Sequence, residues 1–368
     1  MSKAGGDTVT KESSRSRYGA QAGTAPLDRG LDNVRKLLRR SNSSALGAVT
    51  RKIDRLASLT RPKRNYLPLG MRALISISQP QDPLRRARKL PPIDLVVPFV
   101  EKDLRSLPLA LAHATRNVRN PLARIILITP RGSEGNEPRF TRDESAGILS
   151  LLLNTDPRIE LRFDQDILGA PLLAELDERF GRGDRNAGWV TQQLIKLSAA
   201  LQSTASASLI LDADTLLLTP KTWLRSDQAQ LLQVANEYHS SFMHHVKKFF
   251  GVPKKLRLSF VTHHQLMQRE VVEKMFPDGS HSLLTWWKSS TDPIGRDLGD
   301  YEAYGSFLAH HYPERVVYGS FANLFSPHLS RFLRDTASSG KESHELIPDY
   351  CSVSFHSWAQ VDRTEFGN

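Results

Sequence analysis

The spacing of hydrophobic positions changes at Ile93. Before it, Leu31, Val34 and Leu38, and then Leu46, Val49, Ile53 and Leu56, recur three and four residues apart. Arg35, Lys36, Arg39, Arg40, Arg51, Lys52 and Arg55 fill the positions between them. This period predicts one or two basic amphipathic helices, broken near Ser41–Ser44. From Ile93 short apolar runs take over. Ile93–Val100, Arg124–Thr129, Arg158–Phe163 and Ser208–Leu211 read as strands, and Leu107–Thr115, Thr141–Leu153 and Trp189–Leu201 as the helices between them. Such alternation predicts an α/β domain with a mostly parallel sheet flanked by helices. Further on, Gln228–Phe250, Gln265–Met275 and a segment from about Asp300 to His310 read as helices, and Val353–Phe355 as a strand.

The expected organisation is a basic, low-order arm over 1–92, a single folded domain over 93–358 and a tail over 359–368. Residues 1–26 are polar enough to stay disordered, and Pro62, Pro68, Pro80, Pro83, Pro91 and Pro92 punctuate a linker. Charge sharpens this division. Residues 1–92 hold 20 Lys and Arg against 6 Asp and Glu, and the remainder 30 against 33, so the net charge of +11 belongs to the arm. A nearly neutral folded part argues against nucleic acid as a partner. The single cysteine, Cys351, excludes an internal disulfide and a Cys-based zinc site. The first residues lack the apolar core of a secretory signal, and no run of about 18 apolar residues is present. These features lead to the expectation of a cytoplasmic protein. The amphipathic arm at residues 31–60 fits an anionic membrane surface at the inner face of the membrane, or a partner protein, as well as a plain solvated extension.

Candidate chemistry concentrates at SLILDADTLLLTP, residues 208–220. A buried strand delivers Asp212 and Asp214 to its end, with the small Ala213 between them. Residues two apart on an extended chain face one side, so both carboxylates are expected to converge. Two hard oxygen anions suit Mn²⁺ or Mg²⁺.

The chain resembles the GT-A class of nucleotide-sugar glycosyltransferases, and within it an uncharacterised bacterial branch linked to surface polysaccharide genes. The residues that carry the resemblance are Asp94–Pro98, Gly188–Leu197 and Leu211–Thr215. Asp300–Gly305 and Ser354–His356 are less specific. The resemblance covers about residues 93–358. It implies a GT-A (Rossmann-like) domain, metal-dependent transfer and a nucleotide-diphosphate sugar, expected to be a UDP-sugar, as donor.

The same resemblance implies a donor pocket bordered by the helix that carries Gln193 and Lys196, where Lys196 can meet phosphate as a point charge. It also places base and ribose contacts at Pro98, Phe99 and Asp103, although a plain strand-to-helix junction explains these residues equally. It implies an acidic base for the attacking hydroxyl at Asp300 or Glu302, against the alternative of acids favoured by a helix dipole, and a third metal ligand at His356. Gly305 can admit close backbone approach, His263 or His264 can bind sugar hydroxyls, and Trp286 can offer a flat apolar face to a sugar ring. The leading expectation is therefore a metal-dependent glycosyltransferase acting on a saccharide or lipid-linked acceptor. Two alternatives stand beside it. One is a nucleotidyl or phosphoryl transferase, for which a Gly-rich phosphate loop is missing after Ile93. The other is a non-catalytic nucleotide-binding protein tethered by its arm.

Overall fold

The computed structural model describes residues 84, 89–132, 137–181, 184–235, 239–254, 259–326 and 350–355. The amphipathic segment 31–60 and His356 lie outside them. The elements are β1 (Ile93–Pro98), α1 (Leu107–Asn117), β2 (Leu122–Thr129), α2 (Asp143–Thr155), β3 (Ile159–Phe163), α3 (Asp164–Leu168), α4 (Ala170–Phe180) and α5 (Arg185–Leu201). There follow β4 (Ala207–Leu211), β5 (Thr215–Leu217), β6 (Gln230–Val234), α6 (Ser240–Phe250), β7 (His264–Gln268), α7 (Arg269–Met275) and α8 (Ser280–Lys288). The chain continues through α9 (Asp300–His311), β8 (Val316–Ser320), β9 (Asn323–Phe325) and β10 (Ser352–Ser354).

The main sheet has the order β3-β2-β1-β4-β7. Its first four strands are parallel, and β7 runs antiparallel to β4. Strand residues alternate between two cores. Val96, Ile126, Ile128, Ile210 and Met267 face α5 and the helices around it. Leu95, Val97, Ile125, Leu127, Leu209 and Leu266 face the opposite layer with α1 and α2. A sheet covered on both faces explains the unbroken apolar strands. Leu84 already packs in the second core at 3% exposure, ahead of the domain start expected at residue 93.

Strand order sets where a ligand can sit. The chain builds outward from β1 to β2 to β3, then returns to place β4 on the other side of β1. The carboxyl ends of β1 and β4 therefore flank the point where winding reverses, the usual crevice of an open α/β sheet. A small sheet closes one side of it. There β10 pairs antiparallel with β5 and parallel with β9.

Two expected helices begin as strands instead. The expected helix Gln228–Phe250 is β6 followed by α6, and Gln265–Met275 is β7 followed by α7. Four glutamines cause the misreading, because they look like a polar helix face yet are buried. Gln230 donates to the Leu266 carbonyl at 3.0 Å and accepts from Gln268 at 2.8 Å and from the Tyr304 hydroxyl at 2.7 Å. Buried amides are tolerated when they satisfy one another in this way. Helices α3, α4 and α8 lie outside the expected elements. Among the described residues no helix is long and apolar enough to cross a membrane.

Two sequence expectations end in the core. Trp286 is fully buried and stacks on His245, with centroids 5.7 Å apart, so it offers no face to a sugar. Gly305 lets α9 pack on Phe260, since a Cβ there would come within 2.5 Å of Phe260 Cγ. Its smallness serves helix packing rather than substrate approach. Gly305→Ala is expected to destabilise the fold by about 1–3 kcal/mol through overpacking. Thermal denaturation checks this, and an unchanged midpoint would contradict the contact.

Candidate functional site

The site assembles beyond the ends of β1 and β4. Asp212 follows β4 directly, and the chain then turns, with Thr215 N donating to the Asp212 carbonyl at 3.0 Å. The strand thus ends before Asp214, and alternation along an extended chain is not what orients the two aspartates. Ala213 turns its methyl into the second core at 4% exposure, which corrects its expected place at the ligand.

Asp212 is held from three elements. Lys196 of α5 lies 2.8 Å from Oδ1 and the Tyr301 hydroxyl donates to the same oxygen at 3.0 Å. His263 Nδ1 donates to Oδ2 at 3.3 Å, and Asp212 N returns a bond to the His263 carbonyl at 2.9 Å. His263 adopts a φ of 54°, a left-handed conformation that costs a residue with a Cβ about 1–3 kcal/mol. The loop entering β7 is thus bent to bring an imidazole to Asp212.

Lys196 also lies 3.2 Å from Asp300 Oδ2 and 4.2 Å from the centroid of the Tyr301 ring. Burial pushes the ammonium down, but Asp212 and Asp300 outweigh it and hold the group above the ordinary lysine value. Burial pushes Asp212 up, yet Lys196 and His263 bring it well below the usual carboxylate range. Asp300 goes the other way. Burial raises it, and the nearby charge of Asp212 adds to the effect against the pull of Lys196. Gln193, one turn before Lys196, accepts from Asp300 N at 3.2 Å and so seats the first turn of α9.

Asp103 approaches from the β1 side. Its Oδ2 accepts from Val100 N at 3.0 Å, capping the short 3-10 turn Glu101–Arg105. Its carboxyl is pushed up to about 6, first by burial and then by the negative charges of Asp214 and Asp212. Asp103 and Tyr301 both feel the charges of Asp212 and Asp214. Glu101 fixes the loop that carries Asp103, because it accepts bonds from Thr141, Arg142 and Ser145 at the start of α2.

The remaining expected site residues lie elsewhere. Glu302 is fully buried, paired with Lys254 Nζ at 2.5 Å and accepting from Phe260 N at 2.9 Å, so it cannot serve as a base for substrate. His264 packs against Trp223 and Phe321, and burial drives its imidazole down to about 3. It is a neutral core residue rather than a sugar contact. Pro98 is buried in β1 and Phe99 turns into the core beside Phe140, which corrects their expected role at the base and ribose. Tyr301 was absent from the expected site.

The donor set can be tested against a divalent cation. Lys196 already matches the charge of Asp212, and Asp214 follows two residues on, in the turn after β4. The hard carboxylate oxygens of this pair fit Mn²⁺ or Mg²⁺. Among the described residues no three His, Cys, Asp or Glu side chains already converge as a closed metal cage. An incomplete protein set is expected where phosphate oxygens supply the other ligands.

No known sequence family matches the chain, and no curated protein matches it. Solved structures similar to it are glycosyltransferases. Mouse xyloside xylosyltransferase 1 shares 14% identity over 74% of this chain and 100% of its own, with a TM-score of 0.39. The galactosyltransferase LgtC, solved with donor and acceptor sugar analogues, shares 14% over 72% and 87%, with a TM-score of 0.38. The Saccharomyces cerevisiae mannosyltransferase Ktr4p, solved with GDP, shares 11% over 79% and 84%, with a TM-score of 0.40. Likeness at this level does not establish shared chemistry.

Two outcomes follow from the charges. Because the folded-state value of Asp103 is raised, the folded protein binds the extra proton, and its stability falls as pH rises from about 4 to about 6. Asp103→Asn is expected to flatten that slope in melting curves taken across the window; an unchanged slope would contradict the shift. Lys196→Met strands two buried carboxylates and is expected to cost about 3–5 kcal/mol in denaturant unfolding.

Proposed function

We propose that the protein is a metal-dependent glycosyltransferase of GT-A type. It moves a sugar from a nucleotide-diphosphate donor, of which a UDP-sugar is the leading candidate, to a hydroxyl of a saccharide or lipid-linked acceptor. The observation that carries this reading is the place of Asp212 at the end of β4, where the sheet reverses its winding, with Lys196, Tyr301 and His263 gathered on it. Carboxylates in that position suit a diphosphate brought in with a cation, and the loop Phe99–Asp103 has no glycine with which to cradle phosphate by backbone alone. The lack of such a loop also disfavours the nucleotidyl or phosphoryl transferase alternative.

Asp214 and the Oδ2 side of Asp212 would hold Mn²⁺ or Mg²⁺, with His356 a further ligand on sequence grounds alone. A bound divalent cation supplies charge stabilisation for the departing diphosphate. Lys196 adds a second positive charge from beneath, and its position is fixed by Asp212 and Asp300 before any ligand arrives. Such preorganised charge needs no rearrangement as the sugar–phosphate bond breaks. Asp300 is the candidate base if the reaction inverts. Its raised proton affinity suits accepting a proton from the acceptor hydroxyl. Residues 31–60 are proposed to bring the enzyme to an anionic membrane surface at its cytoplasmic face, where a lipid-linked acceptor would lie.

The test is thermal denaturation with UDP or GDP and Mn²⁺ added singly and together. A ligand that binds only the folded state at about 100 times its Kd stabilises by roughly 2.7 kcal/mol. The combined addition is expected to raise the midpoint, and Asp214→Asn to remove the metal-dependent part. Asp214→Asn is also expected to lower donor turnover by about 100-fold or more, as loss of charge stabilisation at a reacting centre does. A wild-type response in the mutant would reject the metal site. Stabilisation without turnover of any donor would favour the non-catalytic nucleotide-binding alternative.

A further inference from the structure

Buried charge is costly unless it is paired and hydrogen-bonded, so the Lys254–Glu302 pair in the core calls for a reason. Glu302 Oε1 takes Lys254 Nζ at 2.5 Å and accepts from the Ser306 hydroxyl, one turn along α9. Oε2 accepts from Phe260 N at 2.9 Å and lies 3.5 Å from the Ser259 hydroxyl. Lys254 also sits over the Phe260 ring, 3.7 Å from its centroid, and that ring fills the hollow beside Gly305. Phe260 is thereby fixed to α9 through its backbone and through its ring. Three residues on, His263 takes its φ of 54° and reaches Asp212 Oδ2 at 3.3 Å. Between them Thr262 donates to the His264 carbonyl at 2.8 Å, and Gln265 Nε2 donates to the Phe260 carbonyl at 3.2 Å. The bend is therefore a closed unit anchored at Phe260. The same turn of α9 supplies Tyr301, whose hydroxyl reaches Asp212 Oδ1 at 3.0 Å. Both oxygens of Asp212 are thus oriented from α9, one directly and one by way of Phe260.

We infer that Glu302 is a positioning residue: by accepting from Phe260 N it holds His263 in its left-handed conformation on Asp212, and Lys254 neutralises the carboxylate that does so. The effect on ligand binding rests on the glycosyltransferase reading; the effect on His263 does not. A left-handed conformation at a residue with a Cβ persists only where its surroundings over-determine it. A buried N–H needs an acceptor, and a carboxylate holds one about twice as firmly as a neutral group. A leucine at position 302 would fill a similar volume but leave Phe260 N unbonded and the bend free to relax. Replacing both members of a buried ion pair by apolar groups is often no loss to stability, so stability alone does not account for this pair.

Two double substitutions separate the roles, and both remove the ion pair at similar volume. Lys254→Met with Glu302→Gln keeps an amide oxygen for Phe260 N, whereas Lys254→Met with Glu302→Leu does not. In the full chain carrying ¹⁵N-labelled histidine, long-range ¹H–¹⁵N spectra report the tautomer of His263, whose signal is the one lost in His263→Gln. The wild type is expected to carry its proton on Nδ1, which donates to Asp212. The Gln variant is expected to keep that signature and the Leu variant to lose it. Amide exchange gives a second readout at Asp212 N, which bonds the His263 carbonyl. Its protection is expected to fall about 5–150-fold in the Leu variant, the factor that relief of one strained conformation allows. An unchanged His263 signal in the Leu variant, or its loss in both variants, would overturn the inference. Gly305→Ala presses on Phe260 from the ring side with the ion pair intact, and it decides the matter if the Leu variant does not fold. The His263 signal is expected to shift there, and an unmoved signal overturns the inference. The midpoint shift with Mn²⁺ and UDP or GDP is expected to persist in the Gln variant and to shrink in the Leu variant. No such shift in the wild type rejects the transferase reading, while the His263 spectra still decide the role of Glu302.

Discussion

A single buried ammonium organises this site. Lys196 stands between Asp212 and Asp300, which come from β4 and α9, while Lys196 itself belongs to α5. None of the three charges would be tolerable there alone, because each has lost most of its water. Together they bring two helices and the end of a strand to one point. Tyr301 completes the join by giving its hydroxyl to Asp212 and its ring face to Lys196. Gln193 contributes from the same stripe of α5 as Lys196.

The carboxylates of the crevice fall into two electrostatic groups. Asp212 is compensated within the protein and stays ionised far into acid. Asp103 is raised instead, first by burial and then by the charges of Asp214 and Asp212, which Lys102 opposes. The first condition gives the crevice a fixed shape. The second reflects lost water on the β1 side more than unbalanced charge. Glu302 shows the contrast within one helix. It lies two residues from Asp300, and on a helix such positions point apart. Asp300 therefore reaches Lys196 beneath Asp212 while Glu302 reaches Lys254 in the core.

The parallel half of the fold was legible because its strands are apolar throughout and its helices alternate with them. The four strands from β1 to β4 fall where the apolar runs predict. The second half was obscured by glutamine, since a buried amide and a solvated one look alike in a sequence. Within the site, Asp103, Gln193, Lys196, Asp212, His263 and Asp300 were marked by residue type next to a strand end, by resemblance, or by both. Tyr301 was missed because its partner is 89 positions away and nothing in the local pattern distinguishes it from core tyrosines such as Tyr304. Trp286, Gly305 and His264 were marked for chemistry that suits their type, but burial decided their roles.

The last described strand completes the crevice from the far end of the chain. Ser352–Ser354 pairs with Thr215–Leu217, and Phe355 N donates to the Asp214 carbonyl at 2.8 Å. During synthesis, β1 to β4 can form early from neighbouring segments, whereas the backbone of Asp214 waits more than a hundred residues for its partner. A nascent chain stalled before this strand would carry every aspartate of the crevice with the turn that presents Asp214 still unpinned, so residues 352–355 must emerge before that turn is fixed.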